Sequence, residues 1–462
     1  MDKKLSKGKK IAIGTAIPFF ILLIIYLGGS MYFRNHFYLG SKINGMDVSR
    51  KTVEEVENKI ISEIEKYTLT LEGRGNHKEE LKAADFGLRY EATETIQKIK
   101  NSQSPYGWIS ALFKSEEEEK YEVVSYDENL LKKVIDTLSA LKSENVTEPR
   151  NAALEYTENG YVIVDEVYGN KINKNTLYEE VTKAILEGQT TLDLESANCY
   201  ENPRFTAKSQ EVLEAKNTAD KYVSSKITYN IGNNTEVLDG STINKWITVN
   251  DNYEVVFNES KVKRYIDELG YKYNTVGKTR TFTTSLGKTV EVPGGDYGWK
   301  INRSEETEEL IAAIKEGQDI TKVPKYSQSG ASRDGNDIGN TYLEINLTTQ
   351  HMWFYKDGAL ITEGDIVTGN IVNNWGTPAG TYMLKYKERN ATLTGEDYKT
   401  PVNFWMPFNG GIGLHDALWR DEFGKDIYIA AGSHGCVNAP YEVAQAVFDN
   451  IQAGAPVVCY TE

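Results

Sequence analysis

The spacing of hydrophobic and polar positions changes along the chain, and the first change marks a long apolar segment near the N-terminus. Residues 11–33 are 23 consecutive positions without a charged side chain. Such a segment can cross about 30 Å of hydrocarbon as a helix, whereas the apolar core of a signal peptide has only about 7–15 residues. Five lysines precede it and only Arg34 follows immediately, so the positive-inside rule predicts export of the remainder. We predict a cytoplasmic tail at 1–10, one transmembrane helix at 11–33 and extracellular domains at the cell wall.

Two later segments repeat each other. A Tyr-Gly turn followed by Lys-Ile-Asn occurs at residues 168–173 and again at 297–302, which is 129 positions later. A Glu-Gly-Gln triplet recurs with the same offset, and in both copies apolar side chains at helical spacing lie between the two motifs. A fixed offset of this kind is typical of a duplicated structural unit. We predict two α+β modules, the first within a membrane-proximal region at 34–203 and the second at 204–325.

The pattern changes again in the last third of the chain. Between residues 326 and 340 hydrophobic side chains almost disappear, and Ser, Gly, Asn and Asp dominate, which indicates a linker. Apolar and polar positions then alternate around a Lys-Asp-Gly hairpin turn at 356–358. One convincing helix begins at Pro440, directly after the last cysteine-containing motif of this region. The chain is therefore predicted to be multidomain, with a mainly β domain at 341–462 behind the α+β modules and the transmembrane helix.

Composition excludes one class of partner and raises one question. The chain has 67 Asp and Glu against 52 Lys and Arg, a net charge of −15. No basic field is present to attract phosphates, so a nucleic-acid partner is not expected. The three cysteines cannot all pair, so an exported chain keeps at least one free thiol. Cys199 and Cys459 fit the role of small buried hydrophobes, but Cys436 has a more reactive setting.

That setting consists of two histidines and a glycine. His415 precedes Cys436 by 21 residues, and His434 stands two positions before it. A thiol attacks an amide as thiolate, which forms when a base or a positive field removes its proton. An imidazole supplies the base, and the helix beginning at Pro440 supplies a favourable dipole. Gly435 allows close approach of the backbone, whose N–H groups can then face a tetrahedral oxyanion.

Two other interpretations of these residues stay open at this point. The histidines and the cysteine can be ordinary core side chains. Alternatively, His415, His434 and Cys436 with Cys459 as the fourth ligand can hold zinc. The two-residue separation of His434 and Cys436 is tighter than that of a usual zinc knuckle, which disfavours this site.

At these residues the sequence resembles the YkuD-type L,D-transpeptidase family. The hallmark of that family is a histidine, a spacer, and Ser-His-Gly-Cys followed by Ile or Val, which here is His415 and residues 433–437. A second feature, Thr-Pro-x-Gly-x-Tyr after Val-Thr-Gly, occurs at 377–382 after 367–369. The repeats resemble the peptidoglycan-binding modules that precede such domains in Gram-positive bacteria. One departure is Asn438, where many members carry Arg.

The resemblance implies peptidoglycan cross-linking through a thioester. Cys436 attacks the carbonyl that joins the third residue of a stem tetrapeptide to its terminal D-Ala, and His415 is the base. His434 and Ser433 line the site, and Gly435 completes the catalytic set. D-Ala leaves, and an amine of another stem resolves the thioester into a 3→3 cross-link, which serves cell-wall biogenesis and cell shape.

The resemblance also implies partners and inhibitors. Stem peptides are the donor and acceptor substrates, carbapenems are the expected inhibitors, and no cofactor or metal is expected. Independently of the resemblance, the candidate substrate-binding residues are Asn438, Gly413 and Trp375, which lies beside the Thr-Pro-Ala-Gly segment and is the tryptophan to test for stacking on substrate. Two alternatives remain: an L,D-carboxypeptidase in which water takes the same thioester, and a non-catalytic wall-binding protein. An intact pair of His415 and Cys436 disfavours the second alternative.

Overall fold

A computed structural model of the chain describes residues 7–91, 94–113, 123–333, 335–395 and 399–462. Side chains are described from Ile17 onward, so residues 1–6 of the predicted cytoplasmic tail and the side chains of 7–16 lie outside the described part. The chain divides into two units, which are Met1–Ala153 with Val164–Ser209, and Leu154–Ile163 with Gln210–Glu462.

The apolar N-terminal segment forms helix α1, Lys7–Tyr32, with Pro18 inside it. Most of its large apolar side chains from Ile17 onward are exposed. Among the helices of the described part of the chain, none is both long and apolar enough to cross a membrane.

Short helices and strands follow up to residue 209. The helices are α2 (Val53–Lys66), α3 (Thr95–Ser102), α4 (Trp108–Ala111), α5 (Glu128–Asp136) and α6 (Lys174–Leu186). The strands are β1 (Lys42–Ile43), β2 (Met46–Asp47), β3 (Thr68–Gly73), β4 (His77–Lys82), β5 (Arg89–Tyr90), β6 (Val124–Ser125), β7 (Ala153–Thr157), β8 (Gly160–Val164) and β9 (Thr191–Asp193).

From residue 210 onward the chain has the following elements, which with most of β7 and β8 make up the second unit. Its helices are α7 (Gln210–Val223), α8 (Gly240–Ile243), α9 (Glu259–Tyr273), α10 (Arg303–Glu316), α11 (Ile427–Ala431) and α12 (Tyr441–Asn450). Its strands up to residue 328 are β10 (Lys226–Ile231), β11 (Asn234–Leu238), β12 (Ile247–Val249), β13 (Val255–Phe257), β14 (Arg280–Thr283), β15 (Thr289–Val292), β16 (Lys300–Ile301), β17 (Asp319–Lys322) and β18 (Tyr326–Gln328). The C-terminal strands are β19 (Tyr342–Asn346), β20 (His351–Lys356), β21 (Ala359–Asp365), β22 (Gly380–Met383), β23 (Glu388–Thr394), β24 (Lys399–Asn409), β25 (Ile412–Asp416), β26 (Val437–Ala439) and β27 (Pro456–Tyr460).

The duplication predicted from the 129-residue offset is present in the fold. In the first module β3 pairs with β4 antiparallel and with β9 parallel, and in the second module β10 pairs with β11 and β17 in the same way. The repeated Lys-Ile-Asn motif ends in a helix cap each time. Asn173 accepts backbone N–H groups at the start of α6, and Asn302 does so at the start of α10. Apolar faces of these helices, such as Leu177 and Leu310, are buried against the sheets.

The C-terminal domain packs two sheets around one core. The five-stranded sheet has the order β21-β20-β19-β27-β22, and the four-stranded sheet has the order β23-β24-β25-β26. Buried side chains such as Phe354 from the first sheet, Phe404 from the second and Val447 from α12 meet in this core. The predicted mainly β domain is therefore confirmed, but two details of its helices differ. Helix α11 was not predicted, and strand β26 separates Cys436 from α12.

Part of the second unit covers the edge strand β22. Tyr297 N–H donates to Thr381 O at 3.1 Å, and Thr381 N–H donates to Gly294 O at 3.4 Å. The carboxylate of Asp296 accepts the N–H of Met383 at 3.0 Å. An uncovered edge strand is a site of unwanted pairing, so this segment protects the edge of the five-stranded sheet.

A small core joins the β14–β15 hairpin to strand β27 of the five-stranded sheet. Phe282 and Val292 from the hairpin pack with Val458 and Tyr460 from β27. Each of the four is less than about a tenth exposed. The hairpin and the C-terminal domain therefore share buried apolar surface.

The polar stretch predicted as a linker is packed rather than open. Residues 326–340 begin with strand β18, and the side chains of Asp337 and Ile338 are buried. Arg280 holds Asp337 through two hydrogen bonds, 2.6 Å from Nε to Oδ1 and 2.9 Å between the terminal nitrogen and Oδ2. A buried charge requires such a paired partner, and this ion pair explains why a polar stretch is held in place.

Candidate active site

Two parallel strands bring His415 and Cys436 into the same part of the domain. In the register of β25 and β26, His415 lies opposite Asn438. Paired residues of parallel strands point to the same face, and so does every second residue along each strand. Cys436 lies just before β26, two positions from Asn438, and packs against Trp405, which pairs with His415 in β24 and β25. The side chains of His415 and Cys436 are therefore both next to Trp405.

His415 is buried and has a partner at each ring nitrogen. Nδ1 lies 2.9 Å from the carbonyl oxygen of Asp416, and Nε2 lies 3.1 Å from Nδ2 of Asn438. The rings of Trp405 and Trp419 flank the imidazole at 5.9 Å and 5.8 Å between centroids. Burial lowers the pKa of His415 below its usual range. The imidazole is therefore neutral near pH 7.

Cys436 is buried as well, at 9% exposure, and packs against Trp405. Its Sγ lies 3.5 Å from the carbonyl oxygen of Gly411. Burial raises the pKa of the thiol to about 11, although the N–H of Gly413 acts in the opposite direction. Burial therefore favours the neutral thiol of Cys436 at neutral pH.

The predicted helix dipole does not reach the sulfur. Strand β26 lies between Cys436 and helix α12. Three residues of strand span about 10 Å, and the field of a helix terminus fades within about one turn. The proton of Cys436 therefore has to go to a base.

Hydrogen bonds fix the turn that carries Cys436. The hydroxyl of Ser433 donates to the carbonyl of Cys436 at 2.5 Å and accepts the N–H of Gly435 at 3.1 Å. The hydroxyl of Thr377 donates to the carbonyl of Gly435 at 2.7 Å and accepts the N–H of Gly369 at 3.1 Å. Gly435 has φ +116°, a backbone conformation that side chains rarely adopt. Ser433 thus holds the turn.

His434 and Trp375 lie side by side at this turn. Their ring centroids are 4.1 Å apart with the planes tilted by 32°. Trp375 is 42% exposed, so its ring is available to a molecule that approaches the turn.

The other two predicted substrate contacts are covered by protein. Asn438 is only 2% exposed, with its amide between His415 and Arg420. Gly413 is buried, and a Cβ at this position would come within 2.7 Å of the Trp405 ring. Asn438 pairs with His415 in the register of β25 and β26, and the N–H of Gly413 faces the sulfur of Cys436, so both residues lie at the site while their contacts with substrate stay predictions.

Two residues at the site, Arg420 and Thr377, were not predicted from the sequence. Arg420 contacts Asn438, and Thr377 connects the catalytic turn to Gly369. Thr377 was visible as part of the Thr-Pro-x-Gly-x-Tyr motif, but its partner was not. Arg420 gave only a weak signal, as one of two basic residues between His415 and Cys436.

Cys459 does not approach the other residues of the zinc alternative. It is fully buried in the main core on β27, whereas Cys436 packs in a separate cluster. In the described ranges, no three His, Cys, Asp or Glu side chains are grouped as metal ligands.

Comparison with known proteins identifies the family. A family model described as an L,D-transpeptidase catalytic domain, YkuD, matches residues 340–459. A model described as a putative peptidoglycan binding domain matches 79–193 and 205–321. A crystal structure of an Enterococcus faecium L,D-transpeptidase, a cysteine-to-serine mutant, is 39% identical over 54% of this chain and 100% of its own, with a TM-score of 0.46. The chain belongs to the YkuD family of L,D-transpeptidases.

Other relatives of this transpeptidase are bound to inhibitors. The avibactam carbamoyl form of the enzyme Ldtfm is 39% identical over 55% of this chain and 99% of its own, with a TM-score of 0.46. The catalytic domain of the E. faecium enzyme acylated by ertapenem is 43% identical over 26% of this chain and 98% of its own, with a TM-score of 0.25. No curated protein matches the chain. The predicted cysteine-dependent transpeptidase and its peptidoglycan-binding modules are confirmed at the level of family.

Proposed function

We propose that this transpeptidase forms 3→3 cross-links in peptidoglycan with Cys436 as the nucleophile and His415 as the base. One observation carries the assignment of roles: Cys436 packs against Trp405, which pairs with His415 in the sheet. A neutral thiol and a neutral imidazole suit this chemistry, because the proton can move as the sulfur attacks.

In acylation the thiol proton is transferred, and the C–N bond to D-Ala is replaced by a C–S bond to Cys436. The thiol proton of Cys436 passes to Nε2 of His415 while Sγ bonds to the carbonyl carbon of the third stem residue. The tetrahedral intermediate collapses, the C–N bond to D-Ala breaks, and Nε2 returns the proton to the departing amine. The oxyanion forms beside the turn that Ser433 and Thr377 fix.

Deacylation reverses the proton movement. The amine of an acceptor stem attacks the thioester carbonyl and gives a proton to Nε2 of His415. The C–S bond breaks, and the sulfur of Cys436 takes the proton back. Water in place of the amine would give the carboxypeptidase reaction from the same intermediate.

Mass spectrometry of muropeptides tests the proposal. We expect the full-length chain to convert tetrapeptide monomers into 3→3 dimers with release of D-Ala. Cys436→Ala should abolish the dimers, while Cys199→Ala, in the other unit, should retain them. Dimers formed by Cys436→Ala would refute the nucleophile, and trimmed monomers alone from the wild type would favour the carboxypeptidase.

We also propose that carbapenems acylate Cys436, as ertapenem does the E. faecium catalytic domain. The intact mass of the chain after ertapenem treatment should show one adduct, absent in Cys436→Ala. The modules at 79–193 and 205–321 would hold the enzyme on its substrate, because they match a family named for peptidoglycan binding. Sedimentation with purified sacculi, with and without each module, measures that binding.

A membrane anchor completes the proposal, with the N-terminus in the cytoplasm and the other domains outside. It is supported by the uncharged segment at 11–33 and the lysines before it. Deletion of residues 1–33 should release the protein from membranes in cell fractions. Retention of the deleted form on membranes would contradict the anchor.

A further inference from the structure

A chain of hydrogen bonds runs from Arg420 to the catalytic imidazole. Arg420 Nε donates to Oδ1 of Asn438 at 2.8 Å, and its terminal nitrogen donates to the carbonyl of Ala431 at 2.9 Å. Nδ2 of Asn438 lies 3.1 Å from Nε2 of His415. Nδ1 of His415 lies 2.9 Å from the carbonyl of Asp416.

The donors and acceptors along this chain allow one arrangement of protons. A guanidinium can only donate, so the oxygen of the Asn438 amide has to face Arg420 and its NH₂ group faces His415. An amide NH₂ also only donates, so Nε2 must accept. A carbonyl only accepts, so Nδ1 carries the proton and donates to Asp416 O.

We propose that Arg420 is a positioning residue, which acts through Asn438 to hold His415 as the Nδ1–H tautomer with an unprotonated Nε2. The arrangement keeps Nε2 unprotonated at rest, with its lone pair accepting the Asn438 N–H, so this nitrogen can take the thiol proton once that hydrogen bond is released. It also opposes a resting imidazolium, because a protonated Nε2 would meet the N–H of Asn438, donor against donor. An imidazole that holds its second proton weakly returns it readily to the departing D-Ala amine.

The charged and titratable groups around His415 agree with this role. Arg420 faces it from the loop after β25, and Cys436 faces it from the start of β26. The carboxylate of Asp416 on its own strand is engaged elsewhere, since it accepts the N–H groups of Asn403 and Phe404 at 2.8 Å and 2.9 Å. Burial lowers the pKa of His415, the carbonyl and the charge of Asp416 raise it, and the charge of Arg420 lowers it.

Nitrogen NMR of the full-length chain, labelled with ¹⁵N at its five histidines, tests the inference. We expect the His415 signals of the wild type to show a protonated Nδ1 and a bare Nε2 near neutral pH. In Arg420→Met the amide of Asn438 is free to turn its oxygen to Nε2, so the midpoint of His415 protonation should rise by about one pH unit. Arg420→Lys retains a donor and should restore part of the shift.

Arg389→Met is the matched control. Arg389 also carries a positive charge in the catalytic domain, but it contacts Asp449 and lies over Phe404 and Phe448. This variant should leave the His415 signals unchanged. If Arg420→Met does not fold, Asn438→Asp replaces it, because a carboxylate accepts from Nε2 and should make His415 doubly protonated at neutral pH.

Several outcomes would overturn the inference. They are a protonated Nε2 in the wild type near pH 7, an unchanged titration in Arg420→Met, and a bare Nε2 in Asn438→Asp. A second readout is the pH profile of carbapenem acylation, whose acid limb should move to higher pH in Arg420→Met. A merely structural role would lower the rate equally at all pH values. The inference rests on His415 as the base of the proposed function, but the NMR signals do not depend on turnover, so the two can fail separately.

Discussion

At the scale of residues, the catalytic pair rests in its uncharged form. Burial raises the pKa of Cys436 and lowers that of His415, and both shifts favour thiol and imidazole over thiolate and imidazolium. The enzyme therefore has to ionise its sulfur during the reaction. A substrate that places its carbonyl against Sγ provides the driving force, since the new bond forms as the proton leaves.

The pH dependence of alkylation follows from this state. The pKa of Cys436 is about 11, so its thiolate fraction at neutral pH is small. The rate of alkylation by iodoacetamide should rise about tenfold per pH unit from about pH 7 to 10. Subtraction of the rate of Cys436→Ser removes any contribution of Cys199 and Cys459. A rate that is already level at neutral pH would show that a thiolate–imidazolium pair exists at rest.

Thr377 makes a second prediction at this scale. Thr377→Val keeps the shape of the side chain but leaves the Gly369 N–H and the Gly435 carbonyl without their partner. The free energy of unfolding should fall by about 1–3 kcal/mol, and acylation should slow because the turn of Cys436 loosens. Urea denaturation and ertapenem kinetics measure the two effects. Thr377→Ser keeps the hydroxyl and should resemble the wild type. If Thr377→Val unfolds and is acylated like the wild type, the hydroxyl of Thr377 does not hold the turn.

At the scale of elements, strand register decides which side chains meet. The sequence motif predicted His415 and Cys436 because their residue types and spacing match a reacting pair. It did not predict that Asn438 faces His415, since this contact depends on the pairing of β25 with β26. Strand β26 has only three residues, too short to show alternation, so it was not predicted, whereas the helix predicted to begin at Pro440 is α12, whose N-cap is Pro440.

The segment that covers β22 offers a test of an element contact. Gly295 has φ +83°, and a Cβ there would lie 1.9 Å from the carbonyl oxygen of Thr381. Gly277 has nearly the same φ, +79°, with open space around it. Both Ala variants carry the penalty of a left-handed backbone, about 1 kcal/mol, but Gly295→Ala should lose roughly 1–3 kcal/mol more through the clash. Denaturant unfolding measures the difference, and equal losses would show that the contact with β22 is unimportant.

At the scale of the whole molecule, sequence predicted the duplicated modules and the C-terminal domain but not the connection between them. The motifs recur 129 residues apart because each module has the same capped helix and the same strands. Residues 326–340 were predicted to be a linker from their polar composition, which does not reveal the ion pair between Asp337 and Arg280, a residue distant in sequence. The second module and the C-terminal domain are thus joined by packed structure.

Cooperative unfolding of the second unit is the prediction at this scale. Phe282 is 3% exposed and packs with Val458 and Tyr460 across the shared core. Phe282→Ala should destabilise the unit by about 3–5 kcal/mol and split one unfolding transition into two. Hydrogen exchange followed separately on β10 and β19 measures whether the two parts unfold together. If the two strands already exchange independently in the wild type, the predicted cooperative unfolding is wrong.

The burial of Cys436 has a consequence beyond turnover. Peroxides and disulfides attack thiolates, and sulfenic acid formation follows the thiolate fraction and the exposure of a cysteine. A sulfur that is 9% exposed and protonated up to about pH 11 offers these oxidants little to attack. The desolvation that keeps the thiol of Cys436 protonated until substrate binds therefore also keeps this cysteine reduced between turnovers, even in surroundings that oxidise ordinary cysteines.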